Sequence, residues 1–395
     1  MKKDNLIYYL GFSYCLGIGP MKFQALKNHP RGVQGAYEAS IKELTLLIGQ
    51  NLAEKFIEFR RKFEPKKELE KLEKDGITVF AVDDEAYPES LRNISDPPIC
   101  LYVKGSLIFN SSVANFITRE SHHFVVPSKV KNFLPTHQME TSLSTPTYFA
   151  IVGTRKPTSY GIQVARKFAY ELAKEGFVIV SGMAMGIDTI AHQASLDAGG
   201  RTIAVLGCGV NIIYPSSNFH LYHNIIKSGG AVISEFPPNQ TVLKGLFISR
   251  NRIISGLSRG ILIAEGGEHS GALITAKYAG IQGKDVFAVP SPINSEMAPA
   301  PNLLIKQGAK MVTTVEDIYN EFDMKITPRK SEDIRERLSE TEKLIFDILQ
   351  KNPSTVDEMA IGLEMAVSQV LNIISLMEIN GVIEKNQEKK YQVKL

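Results

Sequence analysis

The fold class follows from Tyr148-Phe-Ala-Ile-Val-Gly-Thr-Arg155, a short apolar run that ends at a glycine and then turns polar. Segments with helical spacing, such as Val164/Phe168/Leu172, separate this run from later ones. Short apolar runs that alternate with amphipathic helices predict an α/β fold, with a parallel sheet covered on both faces. The same pattern recurs at 177–182, 202–207, 231–235, 260–265 and 285–290.

The composition is that of an ordinary soluble protein, with 44% apolar and 22% charged residues in a chain of 395. A formal net charge of +3 is too small to indicate nucleic acid by itself. The widely spaced Cys15, Cys100 and Cys208 favour a reducing compartment over disulfides or zinc. The adjacent His122 and His123 have no third metal ligand nearby, which argues against a metal site. No apolar run reaches the ~18–20 residues of a membrane span. We therefore expect a cytoplasmic protein without metal, cofactor or membrane contact.

The first part of the chain predicts a small helical domain over residues 1–80, similar to SAM or helix-hairpin-helix modules. Its turn Leu16-Gly-Ile-Gly-Pro20 offers backbone N–H groups that could hold a nucleic-acid phosphate, or could simply connect two helices. Both interpretations stay open. The sheet domain is expected over 81–322, with further strands at 78–82 and 97–105. Residues 106–147, rich in Asn, Ser, Thr, His and Pro, predict an insertion within it.

The end of the chain predicts a charged linker at 323–340 and a winged-helix-like domain at 341–395. Helical segments there precede two short strand-like runs, typical of a wing. The helix predicted over Val367–Ile379 carries no Lys or Arg, and residues 331–395 hold 8 Lys/Arg against 12 Asp/Glu. This balance favours a protein-interaction or packing module over a DNA reader.

Polar residues collect where the predicted strands end, and ligands of parallel sheets bind at that edge. Two consecutive strand-to-helix crossings have a glycine turn before a helix start, where N–H groups and the helix dipole favour an anion. We therefore predict a phosphate site, although the glycines could serve only tight turns. Its residues would be Gly153, Thr154, Arg155, Lys156, Ser181 and Gly182.

The run Arg250-Asn251-Arg252 extends this prediction, because two arginines at the front of an apolar helix require an anion as compensation. Surface ion pairing is the alternative. Residues 148–320 hold 15 Lys/Arg against 11 Asp/Glu, so positive charge leans to this region. Ser270 and Gly271 open another helix and join the predicted site. We assign organising roles to Asp188 as a helix cap, to His192 as a capping or packing residue, and to Glu265 as a residue that holds the arginines in place.

The chain resembles the DNA-processing protein A (DprA/Smf) family over most of residues 85–312. The shared motifs are Tyr87-Pro88, Pro97-Pro98, Lys104-Gly105, Ile151-Val-Gly-Thr-Arg-Lys156, Ser181-Gly182, Gly186-Ile-Asp188, Ala191-His192, Thr202-Ile-Ala-Val-Leu-Gly207, Tyr214-Pro215, Ser234-Glu235, Arg250-Asn-Arg-Ile-Ile-Ser-Gly-Leu257, Ser270-Gly-Ala-Leu-Ile-Thr-Ala276 and Leu304-Ile-Lys-Gln-Gly-Ala309.

The resemblance implies an extended Rossmann-like domain that binds single-stranded DNA and forms homodimers. It also implies loading of RecA recombinase onto incoming strands during natural transformation, in the presence of single-strand-binding protein. No catalytic reaction comes with it. The implied phosphate contacts are Arg155, the Ser181-Gly182 loop, Arg250, Arg252 and the Ser270-Gly271 turn.

This chain departs from the family pattern at several positions besides the insertion. Met185 stands where the family usually has arginine, Ser291-Pro292 replaces the usual Pro-Gly, and Ala300-Pro301-Asn302 replaces a turn that contains glycine. The chain therefore resembles a divergent member of the family.

An alternative function is that of a nucleotide-processing enzyme, because the predicted architecture also resembles the lysine-decarboxylase-like phosphoribohydrolases. Glu265 would be its acid. The Pro-Gly-Gly-x-Gly-Thr signature of that family is absent from the sequence, as is the third glycine of a dinucleotide-binding fingerprint after Gly207-Cys-Gly209.

Overall fold

A computed structural model describes residues 3–107, 146–324, 335, 338–379, 382–386 and 389–393. The chain divides into two compact units, Met1–Phe322 and Asp323–Leu395. The predicted insertion lies mostly outside the described residues, as do His122, His123 and much of the predicted linker.

The first unit begins with helices, as predicted for residues 1–80. Ser40 and Glu43 form a reciprocal capping box at the start of the fourth helix, which satisfies backbone donors that a helix end leaves free. Gly17, with φ of 102°, turns the chain between the first two helices. Whether this turn contacts nucleic acid stays a prediction. The helices are α1 (Lys3–Tyr14), α2 (Pro20–Lys27), α3 (Gly32–Glu38), α4 (Ile41–Ile48), α5 (Gln50–Lys62) and α6 (Pro65–Lys74).

A large sheet follows, and its strands confirm every apolar run predicted as a strand in the first unit. The strands are β1 (Thr78–Ala81), β2 (Cys100–Gly105), β3 (Tyr148–Val152), β4 (Val178–Ser181), β5 (Thr202–Val205), β6 (Ala231–Ser234), β7 (Gly260–Ile263), β8 (Asp285–Ala288) and β9 (Lys310–Met311). Within the described ranges their order is β1-β2-β6-β5-β4-β3-β7-β8-β9. Strands β3 to β9 pair in parallel, whereas β1 and β2 join one side antiparallel.

The strand order reverses at β3. The chain moves from β3 through β4 and β5 to β6 on one side, and then crosses to β7 on the other side of β3. Such a reversal leaves a crevice outside the carboxyl ends of the two strands, where ligands of α/β proteins bind. The fold therefore predicts a site where β3 and β7 end.

Helices connect the strands of the first unit. They are α7 (Glu89–Arg92), α8 (Ser159–Lys174), α9 (Ile187–Asp197), α10 (Phe219–Lys227), α11 (Lys244–Leu257), α12 (Gly271–Ile281), α13 (Pro299–Lys306) and α14 (Glu316–Glu321). Residues of β4, β5, β6 and β7 are buried throughout, as expected of a sheet covered on both faces.

One cluster of buried apolar side chains runs from Leu6 in α1 to Ala279 in α12. In it the rings of Phe12 and Phe56 stack with centroids 4.9 Å apart. The N-terminal helices and the sheet therefore share a core, and the predicted domain boundary near residue 80 stays a prediction.

The second unit has its own buried core, around Phe346, Ile374 and Ile383. Its helices are α15 (Glu340–Lys351), α16 (Val356–Gly362) and α17 (Val367–Ile379), and its strands β10 (Ile383–Lys385) and β11 (Tyr391–Val393) pair antiparallel. Its assignment as a winged helix stays a prediction. Within the described residues no single helix meets the length and composition of a membrane span; only the bent pair Val356–Gly362 and Val367–Glu378 does, on those criteria alone.

Candidate nucleic-acid interface

A cleft of about 510 Å³ opens where β3 and β7 end. Nine of the residues predicted for the site line it: Gly153, Thr154, Arg155, Lys156, Asp188, Arg250, Asn251, Ser270 and Gly271. The structure therefore brings together side chains that are more than 100 residues apart in the sequence. The predicted residues that do not line it are Ser181, Gly182, His192, Arg252 and Glu265.

Arg155 and Lys156 follow β3 and are both exposed. The Arg155 guanidinium lies over the ring of Phe247, 5.7 Å from its centroid, and forms no ion pair with any carboxylate in the described ranges. The N–H of Thr154 donates to the Glu265 carbonyl oxygen at 2.8 Å. Thr154 therefore shapes the turn, whereas Arg155 keeps its hydrogen-bond donors for an anion.

Arg250 lies in the middle of α11 and not at the front of a helix as predicted, so the helix-dipole argument does not apply to it. Its side chain is 4% exposed and donates from Nη1 to the Val205 carbonyl oxygen. Its buried Nε has no hydrogen-bond partner, and no carboxylate of the described residues pairs with it. Burial lowers the pKa of Arg250 to about 10, against the opposing charge of Asp188, so the side chain stays charged at neutral pH. Asp188 offsets this buried charge only through space and forms no direct ion pair with it, so an anion in the cleft would give Arg250 a direct partner.

Asp188 lies at the start of α9 and organises the loop beside Arg250. Its Oδ2 accepts hydrogen bonds from the N–H groups of Gly182 at 3.1 Å and Ala184 at 3.3 Å. Burial raises the pKa of Asp188, and the charge of Arg250 opposes this rise. Asp188 is therefore not the predicted helix cap, since the N-cap residue of α9 is Gly186 and no side chain caps it; Asp188 instead fixes the loop before the helix.

The prediction that Ser181 and Gly182 contact phosphate needs correction. The Ser181 hydroxyl is fully buried and donates to the Ile151 carbonyl oxygen at 2.7 Å. The N–H of Gly182 is engaged by Asp188, and a Cβ at position 182 would overlap the Arg250 guanidinium. Gly182 therefore makes room for Arg250, and neither residue presents a donor to the cleft.

The prediction for Arg252 needs the same correction. Its guanidinium is buried and binds both oxygens of Glu235, at 2.7 and 2.6 Å, and Asp96 Oδ2 at 2.9 Å. Two carboxylates already neutralise this arginine, so it holds α11 to neighbouring segments and is not free to bind DNA.

His192 is fully buried behind the cleft and packs as predicted for an organising residue. Its Nδ1 lies 2.6 Å from the Thr202 hydroxyl, which itself donates to the Ile179 carbonyl oxygen. Nδ1 is therefore the donor, and Nε2 is an unpartnered acceptor. Burial, with a smaller contribution from Arg250, lowers the pKa of His192 to about 3, so the ring is neutral at physiological pH.

Glu265 organises a helix start and does not hold the arginines, contrary to prediction. Its carboxylate is 1% exposed and accepts from Thr158 N at 2.9 Å and Thr158 Oγ1 at 2.5 Å. Thr158 caps α8, and a carboxylate at a helix N-terminus is stabilising. Among the described residues, no group of three or more His, Cys, Asp or Glu side chains is placed to hold a metal ion.

The start of α12 also lines the cleft. Ser270 caps this helix by accepting from Ala272 N at 3.3 Å, and Gly271 is exposed, with space where a Cβ would lie. Asn251, on α11, is half-buried and lines the same cleft. The helix start and the two arginines therefore line one cleft, although Ser270 already accepts from the N–H groups of Ala272 and Leu273.

Sequence reasoning missed the aromatic residues beside the arginines. Phe247 precedes Arg250 by three residues on α11 and also lines the cleft. The ring of Tyr214, 45% exposed, lies 5.6 Å from that of Phe247 between centroids. The spacing of Phe247 and Arg250, which places both on one helix face, could have identified Phe247. Met185 is also an exposed apolar residue, and the adjacent Gly186 packs against the Arg155 backbone.

Comparisons with known proteins agree with this architecture. The family model described as DNA recombination-mediator protein A matches residues 138–323. The chain is 30% identical to the protein Smf of Synechocystis, over 99% of this chain and 100% of that protein. It is 39% identical to the DNA processing protein DprA of Bacillus subtilis, over 62% of this chain and 72% of that protein. The X-ray structure of DprA from Streptococcus pneumoniae superposes with a TM-score of 0.63 at 30% identity, covering 81% of this chain and 98% of that one.

Proposed function

The chain belongs to the DNA recombination-mediator protein A family, and we propose that it acts in this role by binding single-stranded DNA in the cleft between Arg155 and Arg250. The observation that carries the proposal is the pair of arginines at the reversal point of the sheet. Arg250 is a buried cation whose Nε has no hydrogen-bond partner and which Asp188 stabilises only through space, and Arg155 is exposed and lines the same cleft.

Phosphate is the anion that suits this arrangement. Nucleic-acid backbones supply a phosphate at every nucleotide, and neutralising phosphates with arginine provides most of the sequence-independent affinity. The guanidinium groups of Arg155 and Arg250, which line the same cleft, suit the oxygens of consecutive phosphates.

The preference for a single strand rests on Phe247. Its half-buried ring borders the cleft under Arg155. Proteins that bind single strands combine a basic groove with aromatic rings on which bases stack. Bases of a duplex are already stacked and paired, so they do not reach such a ring. We therefore propose that single strands bind more tightly than duplex DNA.

The finer role follows from the family resemblance and is also a proposal. The protein would protect incoming strands and load RecA recombinase onto them, beside single-strand-binding protein, as a cytoplasmic homodimer. In a reconstituted assay, RecA should form filaments faster on strands coated with single-strand-binding protein when this protein is added. An unchanged filament rate would contradict RecA loading but leave DNA binding intact.

A nucleotide-processing enzyme is less well supported by the geometry. Glu265, the acid of that alternative, is 1% exposed, is hydrogen-bonded to Thr158 and does not line the cleft. A catalytic acid must reach the group that it protonates. We propose a binding protein, and incubation with nucleoside monophosphates should release no free base.

The direct test of the site is fluorescence anisotropy with labelled single-stranded and duplex oligonucleotides. Arg155→Ala and Arg250→Ala should each weaken single-strand binding. Arg166→Ala is the matched control, because Arg166 is an exposed arginine of α8 that pairs with Asp197 and does not line the cleft. Equal effects of all three substitutions would show that affinity depends on net charge alone and would contradict the assigned site.

A further inference from the structure

We propose that Tyr214 provides a second base-stacking position, next to Phe247, so that the site takes two neighbouring nucleobases of one strand. This inference rests on the proposed function, since it needs a strand whose phosphates lie at Arg155 and Arg250. Tyr214 does not line the cleft and lies outside α11, so the inference extends the proposed site beyond the cleft.

Phe247 contacts both an arginine and a second aromatic ring. The Arg155 guanidinium lies 5.7 Å from the Phe247 centroid, and the Tyr214 centroid lies 5.6 Å from Phe247 at an interplanar angle of 45°. Because the two rings are tilted and not stacked on each other, each keeps ring surface for another planar group. Tyr214 is 45% exposed, whereas buried tyrosines of this unit such as Tyr87 are enclosed by the core.

The position of Tyr214 relative to the cleft is fixed by the turn that follows it. The Asn218 N–H donates to the Pro215 carbonyl oxygen at 3.0 Å. The Asn218 side chain is buried and donates to the Met183 carbonyl oxygen at 2.9 Å and to Thr189 Oγ1 at 2.8 Å. Met183 and Thr189 flank the loop that Asp188 organises. The backbone segment that follows Tyr214 is thus anchored before any ligand binds, which reduces the entropy lost on binding.

A nucleobase is the occupant that the surroundings favour. Tyr214 is an exposed ring that contacts Phe247, and the Arg155 guanidinium lies over Phe247. Such a surface suits a ligand that has planar apolar groups and an anionic backbone, and single-stranded nucleic acid combines both. Every base has a π-face, so this position would add affinity without selecting a sequence.

The test compares two probes, a labelled oligothymidylate and an abasic strand with the same number of phosphates. Tyr214→Ala should weaken binding of oligothymidylate by about fivefold or more, and should leave binding of the abasic strand unchanged. Tyr214→Phe keeps the ring and should bind both strands as the wild type does. Tyr170→Ala is the matched control, because Tyr170 is 38% exposed in the second half of α8, away from the strand ends.

Three results would overturn the inference, and they have different meanings. Wild-type affinity of Tyr214→Ala for oligothymidylate would show that no base stacks there, while the phosphate site could still stand. An equal loss on the abasic strand would show that Tyr214 acts on the shape of the cleft. Absence of binding by the wild-type protein to either strand would overturn the proposed function, and this inference with it.

Discussion

Replacement of Arg252 by methionine should lower the free energy of unfolding of the first unit by about 3–5 kcal/mol, the usual cost of removing one partner of a buried ion pair. The Arg252 side chain is 3% exposed, and that of Glu235 is 9% exposed. Without Arg252 the Glu235 carboxylate stays buried and loses both guanidinium donors, at 2.7 and 2.6 Å. Asp96 is 33% exposed and can be hydrated, so most of the cost comes from Glu235.

Chemical denaturation followed by fluorescence or circular dichroism would measure this loss, and the melting temperature should fall by about 4–7 °C in a unit of this size. The double substitution Arg252→Met with Glu235→Met should recover much of the stability, since two apolar side chains leave no unpaired charge. Below the melting temperature, Arg252→Met should bind single-stranded DNA as the wild type does. The reasoning would be refuted by unchanged stability together with weakened DNA binding, because Arg252 would then belong to the DNA site.

Three further substitutions test the groups that surround the cleft. Gly182→Ala should weaken DNA binding about as much as Arg250→Ala, because the alanine Cβ would displace the Arg250 guanidinium. Gly280→Ala is the control, because a Cβ at that position meets no atom within 4 Å. Equal DNA affinities of the two glycine variants would contradict the prediction. Burial lowers the pKa of His192 to about 3 in the folded chain, below the ~6.5 of the unfolded chain. The contribution of His192 to stability is therefore fully present above about pH 6.5 and is lost as the pH falls toward 3, by up to ~1.4 kcal/mol per pH unit. In denaturant titrations at several pH values, His192→Gln should reduce the slope of the free energy of unfolding against pH. An unchanged slope would assign the pH dependence to other groups. Glu265→Gln should lower the free energy of unfolding by about 1 kcal/mol, because a neutral side chain no longer interacts with the helix dipole of α8. DNA binding should be unchanged. A variant with full stability and weakened DNA binding would place Glu265 in the site.

The strands could be predicted from sequence because each is a short, buried apolar run that ends at a polar or glycine-rich turn. Their order could not be predicted, since pairing depends on contacts between distant segments. The antiparallel addition of β1 and β2 beside β6 is one such feature. The position of the site followed from the carboxyl ends of the strands, and the cleft lies there.

The roles of individual arginines were harder to predict, and helix geometry explains why. Arg250 and Arg252 are two residues apart on α11, so their side chains point about 200° apart around the helix axis. Only one of them can face the cleft. The partners of the other, Glu235 and Asp96, come from segments that local sequence does not relate to α11. Ser181 was misassigned for a similar reason, because its hydroxyl is satisfied inside the sheet by Ile151.

The most direct test of the central claim is the salt dependence of single-strand binding by the wild type and by the double variant Arg155→Ala/Arg250→Ala. Each phosphate contact on a single strand contributes about 0.7 to the slope of log affinity against log salt. Loss of two contacts should therefore lower the affinity at low salt and reduce the magnitude of the slope by about 1.4. A double variant with the affinity and slope of the wild type would show that DNA, if it binds, does not bind in this cleft.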